Sequence, residues 1–600
     1  MTMFGKSIIL FLSILSVTII SSYAQQDTTI IREVEVIKPY NPAISDANKI
    51  SSMPKVEEPK FERPNFSYSI FSQPVFNTFS VNALKAAAFA SQPKEDTGFG
   101  LVRAGVGNYK RPYGELFFNS KNLKNTIFGL HGKHLSSHGK LNLEGGDVAD
   151  APFSDNEAEM YIKHFFNKSV LSVNLDFSHN GFNYYGYPKD SIPSILKEED
   201  QEINYLGQRQ TFTRGGFNIN LENASAGKKD FTFDFDFDYD YFKSKTGQTE
   251  HYGKFFADVK KPYNKGAGVL TAGVSVINTE NIFNPYLMGM GKNRQIWITA
   301  QPSFIIGGDV ASLQAGAKGW FVLDSSTDAL AKLAPAVKVS FTPVKEIINV
   351  FAGIDGNYSP NNYSKTAYEN PYIDPLHHVH KNTFERFRFY GGFDGKLAAK
   401  TNFKISADYS LIKNKPLYYL FKYLHNNTLP SSYIVDNDFD VVYDNLDLLK
   451  FNLEIFHASF EKINLLMSGN YYVYKMESMQ EAWNLPDWDA MLSLDYKASE
   501  QLNFSTSLLF TGSRKALIYS YPGEDPRPLS NADMLQLENL QTEVYNLEPI
   551  FDLNFSADYK VTNKLSVFVQ LNNFAFHKYQ HWLGYPVQSF NLLGGLGYAF

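Results

Sequence analysis

The 600-residue chain contains no cysteine. Disulfide staples, thiolate zinc sites, a cysteine nucleophile and a lipid-anchoring cysteine are therefore all excluded. Long apolar runs are also scarce. Only the N-terminus approaches the roughly 20 residues that a membrane helix needs, which excludes a polytopic helical membrane protein. Charge of one sign is lacking too: 56 Lys and Arg face 62 Asp and Glu, a net charge of −6, which argues against a nucleic-acid partner. No G-x-S-x-G, H-E-x-x-H or phosphate loop occurs, so neither an enzyme nor a bound cofactor is expected. What the chain has in quantity is aromatic residues. Phe 50, Tyr 37 and Trp 5 make up 15% of it, too many for a disordered chain.

The first 24 residues carry a single charge, Lys6, followed by the apolar run Ser7–Ile20 and then Ser22-Tyr23-Ala24. That order of charge, apolar run and small residues is that of a secretory signal peptide, with cleavage expected between Ala24 and Gln25. Residues 25–96 follow with seven prolines, about twice the density of the chain as a whole. Prolines at this spacing interrupt helices and ladders alike, so the segment reads as an extended periplasmic or lumenal arm. Ile30–Ile37 as a short strand and Val81–Ala90 as one or two helical turns are its orderable pieces.

Beyond Gly98 the pattern changes to period two. In Asp230–Phe242, Phe231, Phe233, Phe235, Phe237, Tyr239 and Tyr241 share one face of a strand. Asp234, Asp236, Asp238 and Asp240 lie on the other, with Asp230 and Thr232. A calcium loop does not fit, because the turn glycine is missing and aromatics occupy the intervening positions. The same alternation recurs over Phe403–Leu411, Trp488–Tyr496, Leu502–Phe510, Phe551–Tyr559 and Leu565–Leu571. Strands of about ten residues with aromatics near their ends suit a tilted crossing of a bilayer.

Short polar turns punctuate these strands at Lys121–Asn125, Asn167–Lys168, Asn223–Lys229, Pro262–Gly266 and Gly307–Asp309. Five more fall at Pro343–Glu346, Ala398–Thr401, Glu461–Lys462, Ala498–Glu500 and Thr562–Lys564. Longer connections lie near Asn183–Gly207, Ser359–Asn382, Asn414–Asn445 and Ser513–Glu548. Short turns on one side and long loops on the other is the asymmetry of outer-membrane barrels. Ten turns with both barrel ends on the same side imply about 22 strands, with 20 to 24 as the range. The expected fold is all-β, an antiparallel transmembrane barrel over residues 97–600.

The chain stops at Leu593-Gly594-Gly595-Leu596-Gly597-Tyr598-Ala599-Phe600. Gly595, Tyr598 and Phe600 resemble the glycine-x-x-aromatic-x-aromatic ending read by the outer-membrane barrel-assembly machinery, although Leu593 stands where a polar residue is usual. Upstream, Leu571–Gln580 followed by Leu583-Gly584-Tyr585-Pro586 resembles the penultimate hairpin of TonB-dependent receptors, where an N-L-x-x-K-x-Y segment leads into G-Y-P. The resemblance covers roughly the last 50 residues and agrees in strand number with the rest. It implies an outer-membrane barrel of a Gram-negative cell, a channel or transport component embedded in outer-membrane lipid. The front departs from that family. Residues 25–96 are too short for its plug domain and lack its glycine motifs. Asp27-Thr28-Thr29-Ile30-Ile31 imitates the energy-coupling box only weakly, so TonB-type coupling by this chain alone is not implied.

A lumen of this width has to be filled. The arm, inward-folding loops or a partner protein are the alternatives, with Asp234, Asp236, Asp238 and Asp240 expected to line it. The rival reading is a scaffold or accessory subunit whose proline-rich arm docks a partner in an envelope complex. One side-chain cluster has metal-ligand chemistry: Asp374, His377, His378 and His380 in an expected external loop, against the simpler reading of a solvated loop. His131, His134 and His138 form a weaker set on one strand and its loop.

Overall fold

In the computed structural model of the chain, the described residues are 99–600 apart from 121–122, 144–147, 187–208, 224–229, 265, 285–288, 309, 326, 345–346, 375–379, 423–438, 460–461 and 521–540. The Ala24/Gln25 junction, the arm over 25–96 and its orderable pieces lie outside the described residues.

Among the described residues, 24 strands share one sheet. Two of them, Arg514–Ser520 and Gln541–Leu547, form a hairpin within a connection. The other 22 run from Gly100–Gly107 to Asn591–Ala599, with consecutive barrel strands antiparallel. The sheet closes on itself because Leu101 pairs with Ala599 and Gly107 with Leu593. Closure leaves no strand edge, so every ladder group is satisfied internally, as a hydrocarbon environment requires. The strand Thr232–Ser244 illustrates the two faces. Phe231 and Phe237 are 52% and 38% exposed on the outside, whereas Phe242 and Ser244 are buried at 3% and 1% on the inside.

All ten turns fall where the sequence places them, at the end of the barrel that carries Gly100 and Ala599. The tight link at Leu123–Thr126 is representative: the two residues exchange backbone hydrogen bonds of 2.9 and 3.0 Å. Lys124 and Asn125 between them take φ of 45° and 71°, a left-handed pair that matches the twist of a hairpin. The longer connections gather at the opposite end, the external one by the asymmetry of such barrels.

One expected connection is corrected. Residues 414–445 are not all loop: strands run Thr401–Lys422 and Phe439–Ser459. The ladder is interrupted between Ile412 and Lys415, where Asn414 takes φ of 55°. This bulge lets the strand leave the line of the barrel and continue as Lys415–Lys422. The extension pairs with Phe439–Asp444 on one side. On its other side it pairs in parallel with Leu517–Ser520. Together with Gln541–Leu547, which is mostly exposed, this makes a four-stranded sheet at the loop end whose other three strands bury side chains on both faces. Tyr418, Leu420, Ala516 and Ile518 enter one apolar core. Leu417, Tyr419, Leu517 and Tyr519 enter a second core with Trp483.

Candidate functional site

The first of these cores crosses the barrel mouth. Tyr184, Phe212 and Phe242 belong to or follow the fifth to seventh barrel strands, while Tyr418 and Phe439 come from the fifteenth and sixteenth. In a ring of 22 those strands face one another, so the connections fold inward and meet over the lumen.

At the centre is helix α1, Tyr363–Glu369, in the connection after the strand Ile348–Ser359. Tyr363 and Ala367 are buried at 0% and 1%. Asn362 precedes the helix without capping it. Its side-chain amide instead donates to Glu250 Oε1, which also accepts from Ser364 Oγ at 2.5 Å. Thr279 Oγ1 donates to Glu250 Oε2 at 3.3 Å, so a carboxylate only 2% exposed holds the start of the helix to the barrel wall. The other end is held by Tyr418 OH, which donates to Glu369 Oε2 at 2.6 Å. Burial lowers the pKa of Lys365 on the same helix, opposed by nearby Glu369; its Nζ donates to Asn361 Oδ1 at 2.8 Å.

From the far side the loop Gln580–Pro586 closes onto this helix connection. The rings of Tyr372 and Tyr585 stack with centroids 3.4 Å apart, and Tyr185 OH donates to the Pro586 carbonyl at 2.8 Å. Burial pushes the Tyr372 hydroxyl up to about 12. Arg514 forks onto the carbonyls of Gln580 and His581 at 2.5 and 2.6 Å. Burial and the neighbouring Arg514 push His581 down to about 4, and burial lowers Arg514 itself to about 10.

Below the cap the inner wall is polar. The aspartates expected from sequence share the strand face of buried Phe242 and Ser244, each with a partner on an adjacent strand. Asn220 Nδ2 donates to Asp234 Oδ1 at 2.6 Å. Asn218 Nδ2 reaches Asp236 Oδ2 at 2.9 Å and Asp238 Oδ1 at 2.8 Å. Asp240 lies 3.4 Å from Lys254 Nζ. Elsewhere on the wall Arg388 binds both oxygens of Asp355 at 2.9 and 2.7 Å, and Arg103 meets Asp558 at 2.7 Å.

The terminal residues form the seam. The Phe600 carbonyl accepts from the Phe99 and Gly100 amides at 2.8 and 3.1 Å, and the Phe600 amide donates to the Gly100 carbonyl at 3.0 Å. Gly595 makes room for the Phe568 ring, since a Cβ there would lie 2.5 Å from Phe568 Cζ. Tyr598 is 49% exposed on the outer face, and Leu593 is buried among Tyr113, Leu135 and Phe568.

Among the described residues the histidine sets do not converge. The Asp374 amide bonds the Phe439 carbonyl at 2.7 Å; His377 and His378 lie outside the described residues, and His380 is half-buried. His131 points inward to Glu115 at 3.2 Å, His134 outward to Asn156 at 2.7 Å, and His138 is exposed. Among the described residues no group of three or more His, Asp or Glu could hold a metal ion. Sequence reasoning missed Glu250, Tyr372 and Arg514, which hold the cap, and Arg214, whose Nη2 donates to the Ser364 carbonyl at 3.5 Å. The one available signal was the apolar runs near 417–420 and 516–519 inside supposed connections.

No family model matches the chain, and no curated protein matches it. Solved structures match its fold. The pyoverdine outer membrane receptor FpvA from Pseudomonas aeruginosa PAO1, bound to pyoverdine, is 13% identical with a TM-score of 0.59, over 84% of this chain and 79% of that one. The FrpB iron transporter from Neisseria meningitidis is 10% identical with a TM-score of 0.59, over 84% and 82%. The siderophore receptor PirA from Acinetobacter baumannii is 11% identical with a TM-score of 0.56, over 84% and 81%. Strand count, closure and shape agree: the chain is a 22-strand closed transmembrane barrel with the fold of TonB-dependent outer-membrane receptors.

Proposed function

We propose that this chain is a transport component of the outer membrane whose pathway is the barrel lumen and whose external mouth is gated by its own connections. The observation that carries this reading is the apolar core joining opposite sides of the mouth, above a wall of carboxylates and amides. A barrel serving only as a membrane anchor has no use for a polar wall beneath a covered mouth. The wall residues are Asp234, Asp236, Asp238 and Asp240 with their partners Asn218, Asn220 and Lys254. The fold relatives bind pyoverdine or are named as siderophore receptors and iron transporters, which favours an external small-molecule ligand meeting the cap first.

Single-channel conductance of the purified mature protein tests this. The intact protein is expected to be mostly closed, and deletion of residues 361–373 to give long-lived openings. Equal, closed traces from both would overturn the gating reading. The same recording after deletion of residues 25–96 separates a plugging arm from the cap.

A second reading is favoured by one relative, the FpvAI receptor solved as a complex with pyocin S2, in which a barrel of this fold engages a protein. In that reading the loop end or the arm over 25–96 holds a partner and solute flux is incidental. Affinity purification from native membranes separates the two: a stoichiometric partner supports the subunit reading, and a lone barrel removes it.

A further inference from the structure

The outer surface carries a cationic strip at the loop end of the fifth to seventh barrel strands, and we propose that it binds the phosphate-bearing head group of an outer-leaflet glycolipid. Three cations form it: Arg209, Lys243 and Lys245, all exposed. Their neighbours Gln210, Phe242 and Ser244 are buried on the inner face, so strand alternation directs all three outward. Lys243 sits opposite Thr213, and Thr213 opposite His179. The Lys245 amide bonds the Thr211 carbonyl at 2.9 Å, and Lys245 Nζ donates to the Arg209 carbonyl at 2.9 Å.

The sequence makes a place for the guanidinium. A Cβ at Gly181 would lie 2.5 Å from Arg209 Nη2 and 3.1 Å from its Cζ, so the glycine lets Arg209 lie across the strand. Neutral donors and acceptors extend the strip sideways at the same height. His134 bonds Asn156 at 2.7 Å, Asn156 the His179 carbonyl at 2.9 Å, and His179 bonds Thr213 at 2.8 Å.

Two features select a lipid phosphate. First, none of the three cations is paired with a carboxylate among the described residues, whereas Lys292 further round the barrel is paired with Glu280 at 2.8 Å. Second, the next rungs toward the barrel middle on the same outer face are aromatic. Tyr241, Tyr239, Phe217, Phe237 and Phe177 lie there, with Phe217 and Phe237 centroids 5.7 Å apart and Phe177 49% exposed. Aromatics of this kind sit at the membrane interface, so the cations one or two rungs above, about 7 Å per two residues along a strand, stand at head-group depth. A phosphate there meets Arg209 as a fork and the two lysines as point charges, while the acyl chains lie on the rings.

Native mass spectrometry of the full mature protein in mixed micelles, with bisphosphorylated lipid A as the probe, tests the assignment. The wild type should retain lipid A, and the R209Q/K243Q/K245Q variant should bind at least tenfold more weakly. K292Q should bind as the wild type does. Dephosphorylated lipid A, tried on the wild type, is an arm that needs no variant, and it should also bind at least tenfold more weakly. Equal binding of both lipid forms, or wild-type affinity in the triple variant, would overturn the proposal. Displacement of lipid A by an equal concentration of inorganic phosphate would also overturn it, because the site would then recognise phosphate alone.

Discussion

Glu250 and His581 are the two side chains on which the cap's grip turns. Glu250 is a buried acceptor for Asn362, Ser364 and Thr279. Replacing it with alanine leaves those donors unpaired at about 1–3 kcal/mol for a lost buried partner. Hydrogen exchange over residues 360–373 should accelerate accordingly, while the barrel strands keep their protection. Tyr372→Ala removes a stacked ring from the same cover, at about 3–5 kcal/mol by the range for buried aromatics, and should lengthen open times in conductance recordings. His581 gives the cap a pH dependence. In the folded cap its imidazole stays neutral down to about 4, whereas a freed loop takes up the proton near the ordinary value of about 6.5. The folded form binds fewer protons in that interval, so stability rises with pH across it. The cap is at full strength above about pH 6.5 and weakens as pH falls toward 4. Exchange rates of residues 579–586, corrected for intrinsic chemistry, should show that loss on going from about pH 7.5 to about 5, and His581→Gln should flatten it.

At the scale of elements, barrel and cap are separate constructions. Barrel strands alternate between two surroundings, lipid and lumen, and that alternation is what made them legible. Phe551–Tyr559 and Trp488–Tyr496 could be read directly, as could all ten turns, because Asn, Gly, Pro and Lys interrupt the alternation there. The cap strand Lys415–Lys422 is buried on both faces over Leu417-Tyr418-Tyr419-Leu420, so that stretch is a continuous apolar run with no period. Beside Asn414 and Pro416 such a run reads as part of a connection. The parallel pairing with Leu517–Ser520, across about a hundred residues of sequence, leaves no local mark at all. The lumen aspartates were legible as a face; their partners, Asn218 and Asn220 on the preceding strand and Lys254 on the following one, were not. If the two constructions are separate, Ile518→Asp should destroy one and spare the other. Limited proteolysis should then cut within the connections at residues 477–487 and 512–549 while the closed barrel keeps its resistance to heating in detergent; simultaneous loss of both would refute the separation.

For the whole molecule, the decisive feature is the seam between Gly100–Gly107 and Asn591–Ala599. Removing Phe600 takes away its three backbone hydrogen bonds with Phe99 and Gly100 and the ring that lies against Gly100. The truncated chain should accumulate unassembled in the periplasm, measured as a loss of the folded species in membrane fractions. The seam also governs the order in which the protein comes into being. The two sides of that join are the first and the last barrel strands in chain order, so the first waits with a bare edge until all the others have been made. No intermediate can close as a smaller ring of correct register, since the partner of Gly100–Gly107 does not yet exist. A stop codon even ten residues early therefore yields an open sheet and no shortened barrel. Insertions in the loops should therefore leave far more folded barrel in the membrane than any loss from Asn591–Ala599.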